Sequence, residues 1–354
     1  MSTSQKIIRV GLIGCGEVAQ TTHLPTFQLL AHQYKVTALA DVSQNSLDHC
    51  ATKFGIAKTF TNSSDLIKDP EASIAVDAAD AGKHVFIEKP MALTHKDAQS
   101  IIDAQERNKV VIFVGYMRRY AGAFQVMKEE VKKLKSISFV SVRDIIGMNS
   151  FFVDQSGTFP KAFTDFPADA NADRQARGKA IAETAIGSRA SDPRDVMTYR
   201  LLGGLGSHDL SAMRELIGLP KKCIAASRVQ PPGPPLFITA MFEYEGYTAV
   251  YETGIDQVGS FDAHIEVIGD GKRLKLQYDT PYVKGLPVTL TIKETDENGY
   301  FVERLIRPTY TDAYTLEYES LYKSITEGAP VKTTPKDAAE DLKIFDMLFE
   351  SMYN

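Results

Sequence analysis

Alternating apolar and polar segments divide the first third of the chain into strands and helices. Continuous apolar runs are typical of strands that are covered on both faces, and the segments between them carry helix-capping residues. Ser43 is a plausible N-cap, Gly55 follows the same segment, and Thr94 and Asp97 have capping-box spacing. The predicted strands are 7–13, 35–40, 59–60, 84–87 and 110–114, and the predicted helices begin near residue 18 and cover 43–54, 64–68 and 94–107. This alternation predicts a doubly wound parallel sheet.

Hairpin signals replace the alternation beyond about residue 120. Asp270-Gly271 separates two strand-like runs, and Asn298-Gly299 separates another pair. The predicted strands here are 136–146, 236–243, 247–254, 264–268, 274–278, 288–293 and 300–305, with helices over 173–186 and 335–352. Hairpin-linked strands form antiparallel sheets with one face free to pack. We therefore predict a first α/β domain over 1–120, an α+β domain with a mostly antiparallel open sheet over 121–334, and a C-terminal helix over 335–354 that packs back on the body.

Composition excludes several functional classes. The chain has 354 residues, 24% of them charged, and a net charge of −5, which gives no basic surface for nucleic acid. No apolar run is long enough to span a bilayer, and residues 1–6 do not form a signal-peptide core. The three cysteines, Cys15, Cys50 and Cys223, are scattered, which argues against a disulfide framework or a zinc site. We expect a cytoplasmic protein that binds no metal, nucleic acid or membrane.

A glycine-rich turn, GCGEVA at 14–19, follows the first predicted strand and opens a helix. The first glycine permits a tight turn, the second lets the backbone approach a pyrophosphate, and a small third residue lets helix and strand pack closely. Asp41 ends the next predicted strand, where a carboxylate accepts from ribose hydroxyls and disfavours a 2′-phosphate. The turn therefore predicts a Rossmann-type domain that binds NAD or NADP, with NAD favoured; the alternative is a structural turn beside a helix-capping Asp. The candidate cofactor-binding residues are Gly14, Gly16, Glu17, Val18, Ala19 and Asp41.

Glu88-Lys89-Pro90 ends the predicted strand that follows AGKH at 81–84. A lysine at the carboxyl end of a parallel strand lies on the edge of the sheet where ligands bind in this class of fold. Lys89 is thus a candidate for acting on a molecule that the dinucleotide reduces or oxidises, although a solvated strand-end lysine is the simpler alternative.

These motifs resemble the glucose-fructose oxidoreductase / inositol dehydrogenase (Gfo/Idh/MocA) family. The resemblance rests on residues 10–19, 81–90 and 203–209 and extends over nearly the whole chain. It implies that the Lys89-Pro90 peptide is cis and that Glu88, Lys89 and Pro90 line the cofactor site. It also implies that Lys89 orients and polarises the reacting hydroxyl or carbonyl group.

The resemblance further implies a catalytic histidine at a helix that starts from a glycine-rich turn. His208 matches that residue and would act as the general base, since an imidazole titrates near neutral pH. The family's Asp four residues earlier is replaced by Gly204, unless Asp209 or Asp195 substitutes. A buried structural histidine is the alternative.

The segment at 118–120 resembles the family's substrate-side arginine region. We name Arg119, together with Asp209, as candidate substrate-binding residues; inter-domain contacts are an equally good explanation of the arginines. Tyr199 could donate a proton, but a packing role is the better interpretation.

The stretch between the third and fourth predicted strands is too short for the family pattern. If 72–76 were the expected central strand, only 77–83 would remain to cross back, and a parallel crossover needs roughly a dozen residues. We prefer the interpretation that 74–81 is the end of a helix stopped by Gly82 and that the strand next to the first one is absent. Absence of that strand would leave unpaired backbone or force another strand into its place, and would weaken folding and cofactor binding.

The leading functional hypothesis is an NAD(P)-dependent dehydrogenase that moves a hydride between the nicotinamide and a secondary alcohol or ketone of a sugar, polyol or dihydrodiol. The alternative is a non-catalytic nucleotide-binding regulator or an inactive isoform of the same family. The resemblance also implies a homodimer or homotetramer formed through the second-domain sheet.

Overall fold

Parallel strands and intervening helices make up the first part of the chain. The computed structural model describes residues 6–67, 74–229 and 236–353. The strands are β1 (Ile8–Ile13), β2 (Tyr34–Ala40), β3 (Lys58–Phe60), β4 (Val85–Glu88) and β5 (Ile112–Gly115). The helices are α1 (Leu24–Leu29), preceded by a π-helical turn at Ala19–His23, then α2 (Gln44–Phe54), α3 (Ser63–Ile67), α4 (Ile74–Asp80) and α5 (His95–Asn108), followed by a 3₁₀ turn at Met117–Tyr120 and α6 (Gly122–Lys132).

The predicted capping residues stop and start these helices. The Ser43 side chain accepts from the Ser46 backbone N–H at the start of α2, and Gly55 ends that helix at φ 68°. The Thr94 side chain accepts from the Asp97 N–H at 3.0 Å. Local chemistry alone therefore located both ends of α2 and the start of α5.

The first-domain strands form two separate sheets. One has the order β1-β2-β3 and the other is the pair β4-β5, and no ladder joins β1 to β4 in the described part of the chain. Helix α4 ends at Asp80. Gly82, two residues later, has a φ of 70° and donates its N–H to the Ala79 carbonyl, which marks a helix stop. The interpretation of 74–81 as the end of a helix is thus confirmed. Among the described residues, β5 pairs with β4 and forms no ladder with β1.

The second part of the chain contains one continuous sheet of eight strands. Its strands are β6 (Phe139–Ile146), β7 (Lys222–Val229), β8 (Leu236–Glu243), β9 (Thr248–Ile255), β10 (Phe261–Gly269), β11 (Lys272–Tyr278), β12 (Thr289–Thr295) and β13 (Phe301–Ile306), in the order β13-β12-β11-β10-β6-β9-β8-β7. Within this sheet, β6 and β9 pair in parallel and the other neighbours pair antiparallel. The predicted turn at Asp270-Gly271 has φ values of 47° and 71°, which the β10-β11 hairpin requires.

Further helices and helical turns surround this sheet. They are α7 (Asn149–Val153), α8 (Ala170–Ile186), a 3₁₀ turn at Gly187–Ser191, α9 (Pro193–Leu201), a π-helical turn at Leu202–Gly206, α10 (Ser207–Ile217), α11 (Ala313–Glu327) and α12 (Pro335–Tyr353). Helices α6, α10 and α12 pack against the sheet. The glycines before His208 continue a helix rather than forming a turn, which corrects the expected local structure at that position.

Helix α11 joins the two first-domain sheets through aromatic packing. The Tyr318 ring lies 5.0 Å from Phe86 of β4 and 4.5 Å from Phe27 of α1. The Tyr34 hydroxyl, on β2, donates to the Tyr318 carbonyl at 2.7 Å. Side chains therefore connect the two sheets, between which the described residues form no ladder. Helix α12, which follows α11 in the chain, packs against α5 of the first domain and β7 of the second.

Candidate active site

The glycine-rich turn leaves open space where a dinucleotide would approach. Gly14 has a φ of 93°, which side-chain-bearing residues rarely adopt, and its N–H donates to the Ala40 carbonyl at 2.8 Å. No atom lies within 4 Å of a Cβ built on Gly14 or Gly16. Ala19 is buried, whereas Glu17 and Val18 are exposed on the first helical turn. This arrangement fits a pyrophosphate at a helix N-terminus.

Asp41 connects the end of β2 to that turn. Its Oδ2 accepts from the Cys15 N–H at 2.6 Å and its Oδ1 accepts from the Ser43 N–H at 2.8 Å. An ionised carboxylate has about four acceptor positions, so lone pairs remain for ribose hydroxyls. The donor set of the turn and the acceptor at Asp41 thus fit an adenosine ribose with free hydroxyls.

Lys89 lies where β4 meets the second domain. The Lys89-Pro90 peptide is cis, as the resemblance implied, and the Lys89 ammonium donates to the Gly204 carbonyl. Burial lowers the pKa of Lys89 to about 8, against the opposing effect of the Glu88 charge. Burial also raises the pKa of Glu88 to about 7. At neutral pH Lys89 is therefore mostly an ammonium ion that gives up its proton more readily than a solvated lysine.

His23 lies next to the Glu88 carboxyl group. Its Nε2 lies 3.3 Å from Glu88 Oε1, and its Nδ1 lies 2.8 Å from the Tyr318 hydroxyl. Burial lowers the pKa of His23 to about 4, so the ring is neutral at pH 7. A neutral ring whose Nδ1 accepts from the Tyr318 hydroxyl carries its proton on Nε2, the nitrogen that faces Glu88, but Glu88 Oε1 has no hydrogen-bond partner among the described residues. His23 was assigned no role from the sequence.

Arg118 forms ion pairs with two buried carboxylates on the sheet side of the site. It forms ion pairs with Asp209 of α10 and with Asp144 of β6, the latter at 3.0 Å. Its guanidinium lies over the Tyr278 ring, 5.1 Å from the centroid. Asp209 Oδ2 has no hydrogen-bond partner among the residues that the structure describes. Burial raises the pKa of Asp209, with Arg118 opposing that effect.

His208 is half-buried at the first turn of α10. Its Nδ1 has no hydrogen-bond partner within the described part of the chain. Burial, followed by the charges of Lys89 and Arg118, lowers the pKa of His208 well below its usual range. The imidazole is therefore neutral and has a lone pair available. Lys89, His208 and Asp209 thus come together in one cluster, close enough for their charges to act on one another.

Two family models together cover most of the chain. The NAD-binding Rossmann domain of the oxidoreductase family matches residues 8–116, and the C-terminal α/β domain of that family matches residues 198–354. The chain belongs to the Gfo/Idh/MocA oxidoreductase family. The predicted family and fold class are confirmed, and with them an NAD(P)-dependent dehydrogenase that has a Rossmann domain and a second, mostly antiparallel domain.

Individual members of the Gfo/Idh/MocA family show how distant the relationship is. Myo-inositol 2-dehydrogenase of Thermotoga maritima is 22% identical over 359 residues, covering 93% of this chain and 92% of that protein. Inositol 2-dehydrogenase of Salmonella typhimurium is 30% identical over 136 residues, covering 34% of this chain and 40% of that protein. Levoglucosan dehydrogenase, solved in complex with NADH and L-sorbose, has the same fold, with a TM-score of 0.73 at 18% identity and coverage of 98% of this chain and 97% of that chain.

Arg119 does not lie in the cluster with Lys89. It is buried in a separate ion network, where it pairs with Glu215 of α10 and Asp337 of α12. Arg214 pairs with Asp337 as well and with Asp341 at 2.9 Å. Two partly buried carboxylates compensate the buried Arg119, so it holds helices together and is not available to a substrate. The 3₁₀ turn directs its neighbour Arg118 toward the site instead.

Asp195 does not take the role suggested for it, whereas Tyr199 has the packing role that was preferred from the sequence. Asp195 pairs with Arg228 and accepts from the Tyr353 hydroxyl, so it does not replace the family's Asp at position 204. Tyr199 is buried and donates to the Leu93 carbonyl at 2.7 Å, as a packing residue does. Open space adjoins Gly204, where a Cβ would meet no atom within 4 Å.

One signal in the sequence could have located the missed residue Asp144. Strand β6 alternates half-buried and buried positions, and Asp144 occupies a buried one between Val142 and Ile146. A charged residue in the apolar phase of a strand needs a partner of opposite charge, here Arg118.

No metal site or membrane span is found where the structure describes the chain. Residues 6–67, 74–229 and 236–353 contain no group of three or more His, Cys, Asp or Glu side chains arranged to hold a metal ion. None of the described helices is both long and apolar enough to cross a bilayer.

Proposed function

We propose that this chain oxidises a secondary alcohol, or reduces the matching ketone, on a sugar, polyol or cyclic dihydrodiol, with NAD(H) as the preferred cofactor. The observation that carries the proposal is the contact between the Lys89 ammonium and the Gly204 carbonyl. It brings the end of β4 against the helical turn that leads to His208. The glycine-rich turn likewise follows the carboxyl end of its strand, β1, and ligands of this class of fold bind at that end of the strands. The names of the relatives support a polyol or sugar, since two of them are inositol dehydrogenases.

Lys89 polarises the substrate oxygen in this mechanism. When bound, the nicotinamide supplies the hydride acceptor in one direction and the hydride donor in the other. The Lys89 ammonium donates a hydrogen bond to the reacting oxygen and stabilises the negative charge that develops there. Because the pKa of Lys89 is about 8, this donor also transfers a proton readily near neutral pH.

His208 handles the proton of the hydroxyl group. Its neutral imidazole accepts the proton during alcohol oxidation. In ketone reduction, the protonated ring returns that proton to the substrate oxygen. Its Nδ1 is buried without a hydrogen-bond partner among the described residues, so Nε2 is the ring nitrogen that we propose for this transfer. Asp209, paired with Arg118, holds the start of α10 in place.

Asp41 supports the preference for NAD(H). Its carboxylate lies beside the glycine-rich turn, where it accepts from ribose hydroxyls and repels a 2′-phosphate. The remaining cofactor contacts that we propose are the turn itself, at Gly14, Gly16, Glu17, Val18 and Ala19, and the segment Glu88, Lys89 and Pro90.

A non-catalytic nucleotide-binding regulator is the second candidate. The division of the first-domain sheet into two pieces and the glycine at position 204 favour it, since both depart from the family pattern. The cluster of Lys89 and His208 favours chemistry, because a binding module has no evident need for both groups.

Self-association through the second-domain sheet stays a prediction, as does a cytoplasmic location. The face of the sheet away from α10 carries Arg143, paired with Glu252 at 2.8 Å and with Asp262 at 3.2 Å. A homodimer or homotetramer would cover this face. Light scattering of the purified protein measures the assembly directly.

The test of the proposed function is a turnover screen. Purified protein is incubated with NAD⁺ and each of a set of polyols, sugars and dihydrodiols, and NADH is followed by its absorbance. Turnover that disappears in Lys89→Met is the expected result. A folded protein that binds NADH but turns over none of these alcohols, nor their ketones with NADH, would favour the regulator instead.

A further inference from the structure

A loop of the second domain crosses the cofactor-binding face of the first domain. We call this loop, residues 154–169 between α7 and α8, the strap. Gln20 Nε2 donates to the Lys161 carbonyl at 3.0 Å, and the Lys161 N–H donates back to Gln20 Oε1 at 2.8 Å. Lys53 of α2 donates to the Thr158 carbonyl. The strap is therefore attached to the helix after the glycine-rich turn and to the helix after Asp41.

Asp165 of the strap binds the start of α2 as a phosphate group would. Its Oδ1 accepts from the Ser43 hydroxyl at 2.6 Å, and its Oδ2 accepts from the Asn45 N–H at 2.9 Å. Helix α2 has eleven residues, so its N-terminus offers unpaired N–H groups and the positive end of the helix dipole. These donors lower the pKa of Asp165, which is therefore ionised at neutral pH.

Asp165 and Asp41 lie on either side of one residue. The Ser43 N–H donates to Asp41 at 2.8 Å, while the Ser43 hydroxyl donates to Asp165. In this fold the acid at the end of the second strand accepts from the ribose 2′-hydroxyl, so the 2′-phosphate of NADP would extend from that same oxygen. The donors at the start of α2 that such a phosphate would use are those that Asp165 already occupies.

The first turn of α2 and the loop before it carry no cation beside these two carboxylates. Residues 41–47 contain neither lysine nor arginine. Lys53 lies ten residues beyond Ser43, about 15 Å along the helix at a rise of about 1.5 Å per residue, and its ammonium is bound to the strap. The lysine of the strap, Lys161, also lies near the second turn of α2. Burial, followed by the charges of Lys161 and Lys53, lowers the pKa of His49 there. The start of α2 is thus negatively charged on both sides of Ser43.

We propose that Asp165 is a second determinant of cofactor specificity, supplied by the second domain, which excludes the 2′-phosphate of NADP(H) and so commits the enzyme to NAD(H). The inference rests on the proposed function and adds to it a residue far from Asp41 in sequence. Like charges placed side by side disfavour binding, whereas a free 2′-hydroxyl meets no such opposition.

The experiment compares the dissociation constants of NADH and NADPH for the wild type and its variants. Nicotinamide fluorescence is excited by energy transfer from tyrosine, of which the chain has 15 and no tryptophan. Asp165→Asn is the test variant. Asp169→Asn is the matched control, since it removes the same charge from the same strap at a side chain that makes no capping hydrogen bond. Asp165 is exposed, so its substitution leaves the core intact, and a thermal melt of each protein checks this.

We expect Asp165→Asn to tighten NADPH binding about tenfold while NADH binding changes less than about threefold. Asp165→Lys should tighten NADPH binding further, and Asp169→Asn should match the wild type. An unchanged ratio of the two constants in Asp165→Asn, or equal tightening of both cofactors, would overturn the role of Asp165 while leaving the proposed function in place. A folded wild type that binds neither cofactor would instead refute the proposed function itself.

Discussion

The two domains of this molecule differ in the continuity of their sheets. In the second domain, each interior strand has a hydrogen-bonded neighbour on both sides, and the sheet runs unbroken through eight strands. In the first domain, β1 and β4 end two separate sheets, and aromatic side chains from α11 join the pieces. The comparison teaches that Lys89, at the end of the smaller piece, takes its position from tertiary contacts rather than from a continuous sheet.

Hydrogen exchange should show the largest difference between the two regions. Strand β6 is paired on both sides, by β10 and β9, whereas β1 is paired only with β2 among the described residues. We expect the slowest amides of β6 to exchange on the order of 10³-fold more slowly than most amides of β1, since only global unfolding exposes β6. Mass spectrometry of peptic fragments measures this. Equal protection of both strands would show that the division of the sheet has no effect on local stability.

Removal of Arg118 should destabilise the second domain, which contains the continuous sheet. Arg118→Met leaves Asp144 and Asp209 as buried carboxylates without their ion-pair partner, which we expect to lower the free energy of unfolding by about 3–5 kcal/mol. Arg143→Met is the matched control, because Arg143 is the neighbour of Asp144 on the open face and is half-exposed, so its loss should cost less than about 1 kcal/mol. Urea denaturation compares the two. Similar losses for both variants would contradict the structural role of Arg118.

Lys89→Met should separate chemistry from cofactor binding. Loss of the ammonium removes a donor to the reacting oxygen, and we expect kcat to fall about 10²- to 10³-fold. The dissociation constant of NADH should change far less, by under about tenfold, because Lys89 is one of several proposed cofactor contacts and the glycine-rich turn and Asp41 are unaffected. Steady-state kinetics and a fluorescence titration on the same preparation provide both numbers. Unchanged turnover would remove Lys89 from the mechanism.

Glu88→Gln should have the smallest effect, a shift in pH dependence. The ammonium form of Lys89 is present below its pKa of about 8, so kcat/KM for ketone reduction should fall as the pH rises through about 8. The negative charge of Glu88 raises the pKa of Lys89, so a neutral glutamine side chain in its place lowers that pKa further. The decline should therefore begin at a lower pH in the variant. A shift to higher pH, or none, would contradict the coupling between the two side chains.

Much of the first domain could be predicted because its signals are local. The caps of α2 at Ser43 and Gly55 and the helix stop at Gly82 depend only on neighbouring backbone groups, and the structure has all three. The lack of a ladder between β1 and β4 among the described residues agrees with the residue count before Gly82. Strand β7 was missed because it is an edge strand with mostly exposed positions, which carries little hydrophobic alternation.

The assignment of the adjacent arginines could not be settled from sequence. Arg118 and Arg119 are the same residue type in one 3₁₀ turn, and successive residues of such a turn point in different directions. Which one faces the site depends on the carboxylates that α10, α12 and β6 bring to each side. The contact of Asp165 with Ser43 joins positions 122 residues apart, and no local pattern indicates it.

The central claim is that the cofactor site survives the division of its sheet. The most direct test is a titration of the wild-type protein with NADH, followed by tyrosine-sensitised nicotinamide fluorescence, on a sample that shows a cooperative thermal melt. We predict saturable binding with a dissociation constant of about 1–100 μM, in the range usual for enzyme substrates. A cooperatively folded sample with no saturable signal up to about 1 mM NADH would contradict the claim.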